Sequence, residues 1–220
     1  MLNIDVTKKI LNKNDLLAEK LREFYKKNNI YVINIVSSPG SGKTSLLEVI
    51  LPELKKFYSI FVLVGDLQTE NDADRIKKTA VPVKQINTGK SCHLTAKEIY
   101  DMLQAYEEAE SLDLLIIENV GNLVCPSSFD LGEDIKMLVI STSEGDDKPL
   151  KYPSMVNVAD CLIINKMDLL PYVNFDVDRC VNFARKINPS IAFFITSCYS
   201  KEGINPLIEH IKKIVDEKIL

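Results

Sequence analysis

One segment, Ser37-Ser38-Pro39-Gly40-Ser41-Gly42-Lys43-Thr44, constrains this chain more than any other because of what flanks it. Before it runs Tyr31-Val32-Ile33-Asn34-Ile35-Val36, an apolar stretch that reads as a buried strand, and after it a helical pattern begins near Lys43. A strand, a turn of small residues and a helix in that order make an anion cradle. Small residues let backbone N–H groups wrap phosphate oxygens, and the helix end adds positive potential. Lys43 is then placed to reach β- and γ-phosphates and Thr44 to set its hydroxyl on Mg²⁺, with Gly40, Ser41, Gly42 and Ser45 completing the cradle. The first glycine of the usual pattern is Ser37 here. The strand–loop–helix setting argues against the plain alternative, a tight turn with an incidental lysine.

The rest of the chain repeats the alternation. Short apolar strands are expected at Ile60–Val64, Leu114–Glu118, Met137–Ser141, Cys161–Ile164 and Ala192–Thr196. Helical patterns lie at 44–57, 70–79, 94–109, 176–187 and 204–218. That order specifies an α/β fold of the P-loop NTPase kind, a doubly wound, mostly parallel sheet with helices on both faces. Ligands in such folds sit beyond the carboxyl ends of the strands, and every polar motif below falls at or just after a strand end. Ahead of the first strand, Asp15 to about Asn28 spaces Leu16, Leu17, Leu21, Phe24 and Tyr25 helically. The reading is an amphipathic helical extension over 1–29, packed on the domain or on a partner, and a nucleotide-binding domain over 30–220.

At 220 residues, 46% hydrophobic and 26% charged, the chain can bury a full core as one domain. A net charge of −4 offers no basic field, so neither nucleic acid nor an anionic membrane is expected as a partner. Apolar runs such as 112–117 and 161–164 are strand-sized, far below the ~20 residues that cross a bilayer. Met1-Leu2-Asn3-Ile4-Asp5 has no apolar core behind a basic head, so a cytoplasmic location is expected. Five irregularly spaced cysteines are an odd number and suggest reduced thiols, with Cys161 and Cys198 as small buried hydrophobes.

Asn165-Lys166-Met167-Asp168 follows the strand Cys161–Ile164. In this arrangement the Asp168 carboxylate accepts guanine N1–H and the 2-amino group while the Lys166 stem covers the base. Adenine lacks that donor pair and would strand a buried carboxylate, a discrimination on the order of 10⁴. The nucleotide is therefore expected to be GTP or GDP. Hydrolysis needs charge and positioning, for which Asp66, after Gly65 at the end of one strand, and Glu118, at the end of another, are the choices, with Lys43 on the phosphates. Glu70, Asp72 and Asp74 follow Asp66; Asp72 is a weaker candidate for the magnesium region, and Asp72, Asp74 and Arg75 also read as a solvated helix start. No glutamine stands where small signalling GTPases carry one, so slow hydrolysis is expected until a partner completes the site. Ser197 and Cys198, after the last strand, are placed to meet the base from its other side.

A second constellation is thiol and imidazole. Gly89-Lys90-Ser91-Cys92-His93-Leu94 immediately precedes the 94–109 pattern, so a helix N-terminus is expected to favour a Cys92 thiolate. Cys125 lies just past Glu118-Asn119-Val120-Gly121. Three soft or borderline ligands suit Zn²⁺ or Ni²⁺ better than Mg²⁺, and being one short of a tetrahedral set they suggest sharing across a two-fold dimer. A pair of ordinary, partly buried thiols fits the same residues. Cys125 hangs from the stretch expected to sense the γ-phosphate, so nucleotide state and metal geometry would be coupled.

These stretches, with Gly65-Asp66-Leu67-Gln68-Thr69-Glu70-Asn71-Asp72 and Glu144-Gly145-Asp146-Asp147-Lys148-Pro149-Leu150-Lys151-Tyr152-Pro153, resemble the HypB family of hydrogenase nickel-incorporation GTPases from about residue 30 onward. The resemblance implies a GTP-dependent homodimer that assists nickel insertion into [NiFe]-hydrogenase, partnering its large subunit and other nickel-maturation proteins. It implies Zn²⁺ or Ni²⁺ on Cys92, His93 and Cys125 at the dimer interface. The related urease-maturation GTPase carries Cys-Pro-His, whereas Cys125 is followed here by Pro126 and Ser127. The family's cysteine-rich and histidine-rich nickel tracts are not present in these residues, so metal affinity is expected to rest on the one site. Other readings are a urease-type or cobalamin-enzyme maturation GTPase, and a GTPase switch whose cysteines are structural.

Overall fold

The structure is a computed structural model that describes residues 2–66, 71–89 and 91–219, residues 2–9 by backbone alone. Glu70 and Lys90, both part of the motifs above, lie outside the described residues. Seven strands make one sheet: β1 (Tyr31–Ser37), β2 (Ile60–Asp66), β3 (Val83–Asn87), β4 (Leu114–Glu118), β5 (Ile135–Ser141), β6 (Cys161–Asn165) and β7 (Ala192–Ile195). Their order is β3-β2-β4-β1-β5-β6-β7, and every pairing is parallel. The helices are α1 (Leu2–Lys27), α2 (Lys43–Leu54), α3 (Asn71–Lys77), α4 (Ala96–Gln104), α5 (Lys148–Lys151), α6 (Pro153–Val158), α7 (Val177–Ile187) and α8 (Ile204–Ile219).

The central strands are buried on both faces, which is why they read as mainly apolar runs, with Asn34 the exception inside β1. On one face Ile33, Ile35, Val62, Ile116 and Val139 pack against Leu47, Ile50 and Leu51 of α2 and Leu207 and Ile211 of α8. The opposite face carries two clusters. Near β2 and β4, Phe61, Leu63, Leu115 and Ile117 meet α1 and α4; near β5 and β6, Leu138, Ile140, Leu162 and Ile164 meet α6 and α7. The parallel register aligns the carboxyl ends, pairing Ile35 and Val64 with Glu118 and Ser141 with Asn165. One rim of the sheet therefore collects the polar motifs.

Several boundaries move. β3 has no counterpart among the strands expected from sequence, because Val83-Lys84-Gln85-Ile86-Asn87 is a half-exposed edge strand with a single fully buried position, Ile86. The 94–109 pattern resolves into α4 plus a separate 3₁₀ turn, Ala109–Ser111. Thr95 and Glu98 form a capping box that starts α4 at Ala96. Segment 148–158, unassigned from periodicity, forms α5 and α6. Helix α1 begins far ahead of Asp15, and it turns Leu16 outward, 68% exposed, instead of into the apolar stripe. Ala18, Leu21 and Tyr25 bury fully on the sheet face.

Candidate functional site: a phosphate cleft beside a thiol–imidazole cluster

The loop after β1 explains its own departure from the usual pattern. Ser37 is the last residue of an extended strand, where no glycine is required, and its hydroxyl accepts a hydrogen bond from Lys43 Nζ at 2.8 Å. Glycine is required at 42, where φ is +97° and an added Cβ would lie 2.6 Å from Asn165 Nδ2. The loop is held from two further sides. Ser41 donates to Glu144, and Lys148 reaches Ser38 Oγ at 3.1 Å while pairing with Glu144. The Glu144-to-Pro153 stretch thus buttresses the phosphate loop.

A cleft of about 380 Å³ opens above the loop, lined by Gly40, Gly42, Lys43, Thr44, Ser45, Asp66, Asp72, Arg75, Glu118 and Lys166. Burial lowers the Lys43 pKa, opposed by the charges of Glu118, Asp72, Glu144 and Asp66. Glu118 is 2% exposed; Thr44 donates to its Oε1 at 2.7 Å, and no group among the described residues bonds its Oε2. Burial pushes its pKa up to about 7 against the pull of Lys43 and Thr44. A hydroxyl and an unpartnered buried carboxylate oxygen, with Asp66 and Asp72 on the same cleft, are hard oxygen donors of the kind Mg²⁺ takes. Asp72 and Arg75 are thus cleft residues: Arg75 bonds Glu48 and Ser45 and pairs with Asp72 at 3.6 Å. Asp74 pairs with Lys77 on the exposed side, which agrees with the solvated reading for that residue alone.

An adjoining cleft of about 400 Å³ shares Gly42, Ser45 and Lys166 with the first and is lined also by Asn165, Asp168, Cys198 and Tyr199. Asn165 clamps the phosphate loop through Nδ2 to Ser41 O at 3.1 Å, and Lys166, at φ +62°, sends Nζ to Gly40 O at 2.6 Å. Asp168 faces the cleft. Ser197 does not line it; its hydroxyl donates to Asp168 Oδ1 and orients that carboxylate. Cys198 is half-buried at the cleft wall, its Sγ 3.4 Å from Asn165 Oδ1, and not a core hydrophobe as Cys161 is.

Cys92, His93 and Cys125 converge: one ligand atom from each lies within 4.8 Å of the others. The two sulfurs are 2.8 Å apart, and the His93 ring rests on Phe129 with centroids 3.8 Å apart. Burial lowers the His93 pKa, which favours the neutral imidazole that ligates metals. The expected thiolate at a helix end is corrected by the structure. The first turn of α4 starts three residues beyond His93 and is capped by its own Thr95 and Glu98, so Cys92 lies outside that first turn. The hydrogen bond with Cys125, followed by burial, raises the Cys92 pKa.

The two sites share a segment. After Glu118, Gly121 approaches the phosphate loop so closely that a Cβ there would sit 3.0 Å from Pro39 Cα. Asn122 then donates to Cys92 O at 3.2 Å, and Cys125 follows.

Residues 31–195 match the family model described as the CobW/HypB/UreG nucleotide-binding domain. A curated relative, the hydrogenase maturation factor HypB of Escherichia coli K12, is 49% identical over 205 residues, 93% of this chain and 70% of that protein. The chain belongs to the HypB family. Two solved structures extend the match to the fold. HypB from Archaeoglobus fulgidus superimposes with a TM-score of 0.86 at 36% identity, covering 93% of this chain and 99% of that one. HypB from Helicobacter pylori, solved in complex with nickel, gives 0.86 at 43% identity, over 93% and 96%. The all-parallel P-loop architecture is that of these HypB structures.

Sequence reasoning missed Glu144 and Lys148 as supports of the phosphate loop and Arg75 as a cleft residue. The signal was available for the first two: an acidic and a basic residue four apart in a short Pro-bounded segment.

Proposed function

We propose that this chain hydrolyses GTP to GDP and phosphate and uses that cycle to hold and release nickel for the maturation of a [NiFe]-hydrogenase, acting as a cytoplasmic homodimer. Lys43 and the backbone of Gly40 to Ser45 bind the phosphates. Asp168, oriented by Ser197, reads the guanine edge, with Asn165 and Cys198 shaping the wall and Lys166 covering the ring. Thr44, with Asp66, Asp72 and Glu118 around it, fits Mg²⁺, which when bound with the nucleotide supplies charge neutralisation on the phosphates. Nickel is the cargo. Cys92, His93 and Cys125 take it, or zinc in its place, and the same residues of a second copy complete the coordination. The hydrogenase large subunit and other nickel-maturation proteins are the acceptors.

The observation that carries this reading is the run from Glu118 to Cys125. It begins on a carboxylate bonded to Thr44, passes Pro39 at contact distance and ends in the thiol–imidazole cluster. Equilibrium dialysis against Ni²⁺, with GDP and with a non-hydrolysable GTP analogue, tests it. Stoichiometric binding by the native chain and its loss in Cys92→Ala are expected. Retention of binding by Cys92→Ala in both nucleotide states would overturn the nickel role.

A further inference from the structure

Strand β1 carries a polar side chain at its centre: Asn34 is 0% exposed, between Ile117 of β4 and Lys136 of β5 in register. A buried amide in an apolar sheet is tolerated only when its hydrogen bonds are made, and here they run outward in both directions. Toward β4, Asn34 Oδ1 accepts from Asn119 Nδ2 at 3.2 Å, and Asn119 Oδ1 accepts from Leu94 N at 3.2 Å and Val120 N at 2.9 Å. Toward β5, Asn34 Nδ2 donates to Glu133 Oε1 at 2.9 Å. Glu133 pairs with Lys136 at 3.1 Å, both side chains under 10% exposed, and Lys136 Nζ donates to Pro126 O at 3.0 Å.

The two ends of this chain of bonds are not arbitrary. Leu94 directly follows His93, and Pro126 directly follows Cys125. The polar seam separates the two apolar clusters on that face of the sheet, so it replaces packing that hydrophobic side chains would supply. Its middle member, Asn119, is the residue after Glu118, the carboxylate bonded to Thr44.

We propose that Asn34, Asn119, Glu133 and Lys136 form an internal brace that sets the spacing of the Cys92–His93 and Cys125 segments, with Lys136 the positioning residue that fixes Cys125. The inference rests on nickel binding by the cluster. The brace grips the backbone beside each ligand segment, so its loss leaves the ligands present but misplaced. Partners of this kind, one step behind the ligands, typically contribute 10–100-fold in metal affinity.

The test uses the full chain in four forms: native, Cys92→Ala, Lys136→Met and the pair Glu133→Gln with Lys136→Met. The pair matters because Lys136→Met alone strands a buried carboxylate and can unfold the chain, whereas the pair removes both charges. Ni²⁺ alone is titrated, following its dissociation constant and the thiolate-to-nickel charge-transfer band, with GDP affinity and far-ultraviolet circular dichroism measured alongside. The brace predicts that the doubly substituted chain folds, binds GDP within about twofold of native, binds Ni²⁺ about 10–100-fold more weakly, and shifts the band. Native nickel affinity and an unshifted band in the folded double variant would overturn the brace while leaving the nickel site standing. Failure of the native chain to bind Ni²⁺, or full binding by Cys92→Ala, would remove the metal site itself, and the brace with it.

Discussion

Glu118 sits 2% exposed at the end of a central strand with one carboxylate oxygen bonded to Thr44 and the other unpartnered among the described residues. Burial is the cause of its pKa near 7, and the sign of the consequence follows from linkage. Between its ordinary value of 4.5 and about 7 the folded state holds a proton that the unfolded state has released. Stability of the chain free of nucleotide and metal is therefore highest at the acidic side of that window and falls as pH rises through it. A shift of that size corresponds to about 3 kcal/mol at most. Chemical denaturation in a chelator-containing buffer at pH 5 and pH 8 checks this: Glu118→Gln is expected to remove most of the slope, and a slope unchanged in the variant would contradict the assignment. The phosphate loop and the Asn165–Asp168 pair were legible from the sequence because each motif is local, with its geometry carried by a few adjacent residues. Arg75 was not, because its role depends on Ser45 and Glu48 of another helix, which periodicity cannot bring near it.

At the scale of elements, helix α1 and the 119–125 segment illustrate two different kinds of connection. Helix α1 is bound into the domain by apolar burial, through Ala18, Leu21 and Tyr25, and by Asn14, which accepts from Ala96 N and donates to Asp130 O. Leu21→Ala is expected to destabilise the chain by about 2–4 kcal/mol in a urea melt, because the cavity would open under the sheet. A loss under about 0.5 kcal/mol, the range of a neutral surface change, would mean that α1 is held elsewhere. Strands β1, β4 and β6 could be read from sequence because burial on both faces keeps them apolar apart from Asn34 and their polar last residues, Ser37, Glu118 and Asn165. Edge strand β3 could not, since exposure lets Lys84 and Gln85 into it, and its pairing with β2 is a property of the sheet. The start of α4 was misplaced for a related reason: Thr95 and Glu98 cap each other, and that reciprocal bond outweighs the apolar Leu94 that extended the pattern backward.

For the molecule as a whole, the parallel register is what makes two chemistries neighbours. It brings the ends of β1, β2, β4 and β6 to one rim, and the chain leaving β4 runs from the phosphate loop to the thiols. The topology could be anticipated from strand–helix alternation. The convergence of Cys92 with Cys125 could not be derived from spacing, since the two are 33 positions apart and meet only because β4 brings the later segment back beside the earlier one. No helix among the described residues is long and apolar enough to cross a membrane. In the proposed cycle, guanine nucleotide and nickel are thermodynamically coupled through residues 118–125. Coupling between two sites on one chain typically changes affinity 5–150-fold. The direct measurement is the Ni²⁺ dissociation constant, by competition with a metallochromic indicator, in GDP and in a non-hydrolysable GTP analogue. A change of about fivefold or more between the two states is predicted, and equal nickel affinity in both would contradict the account.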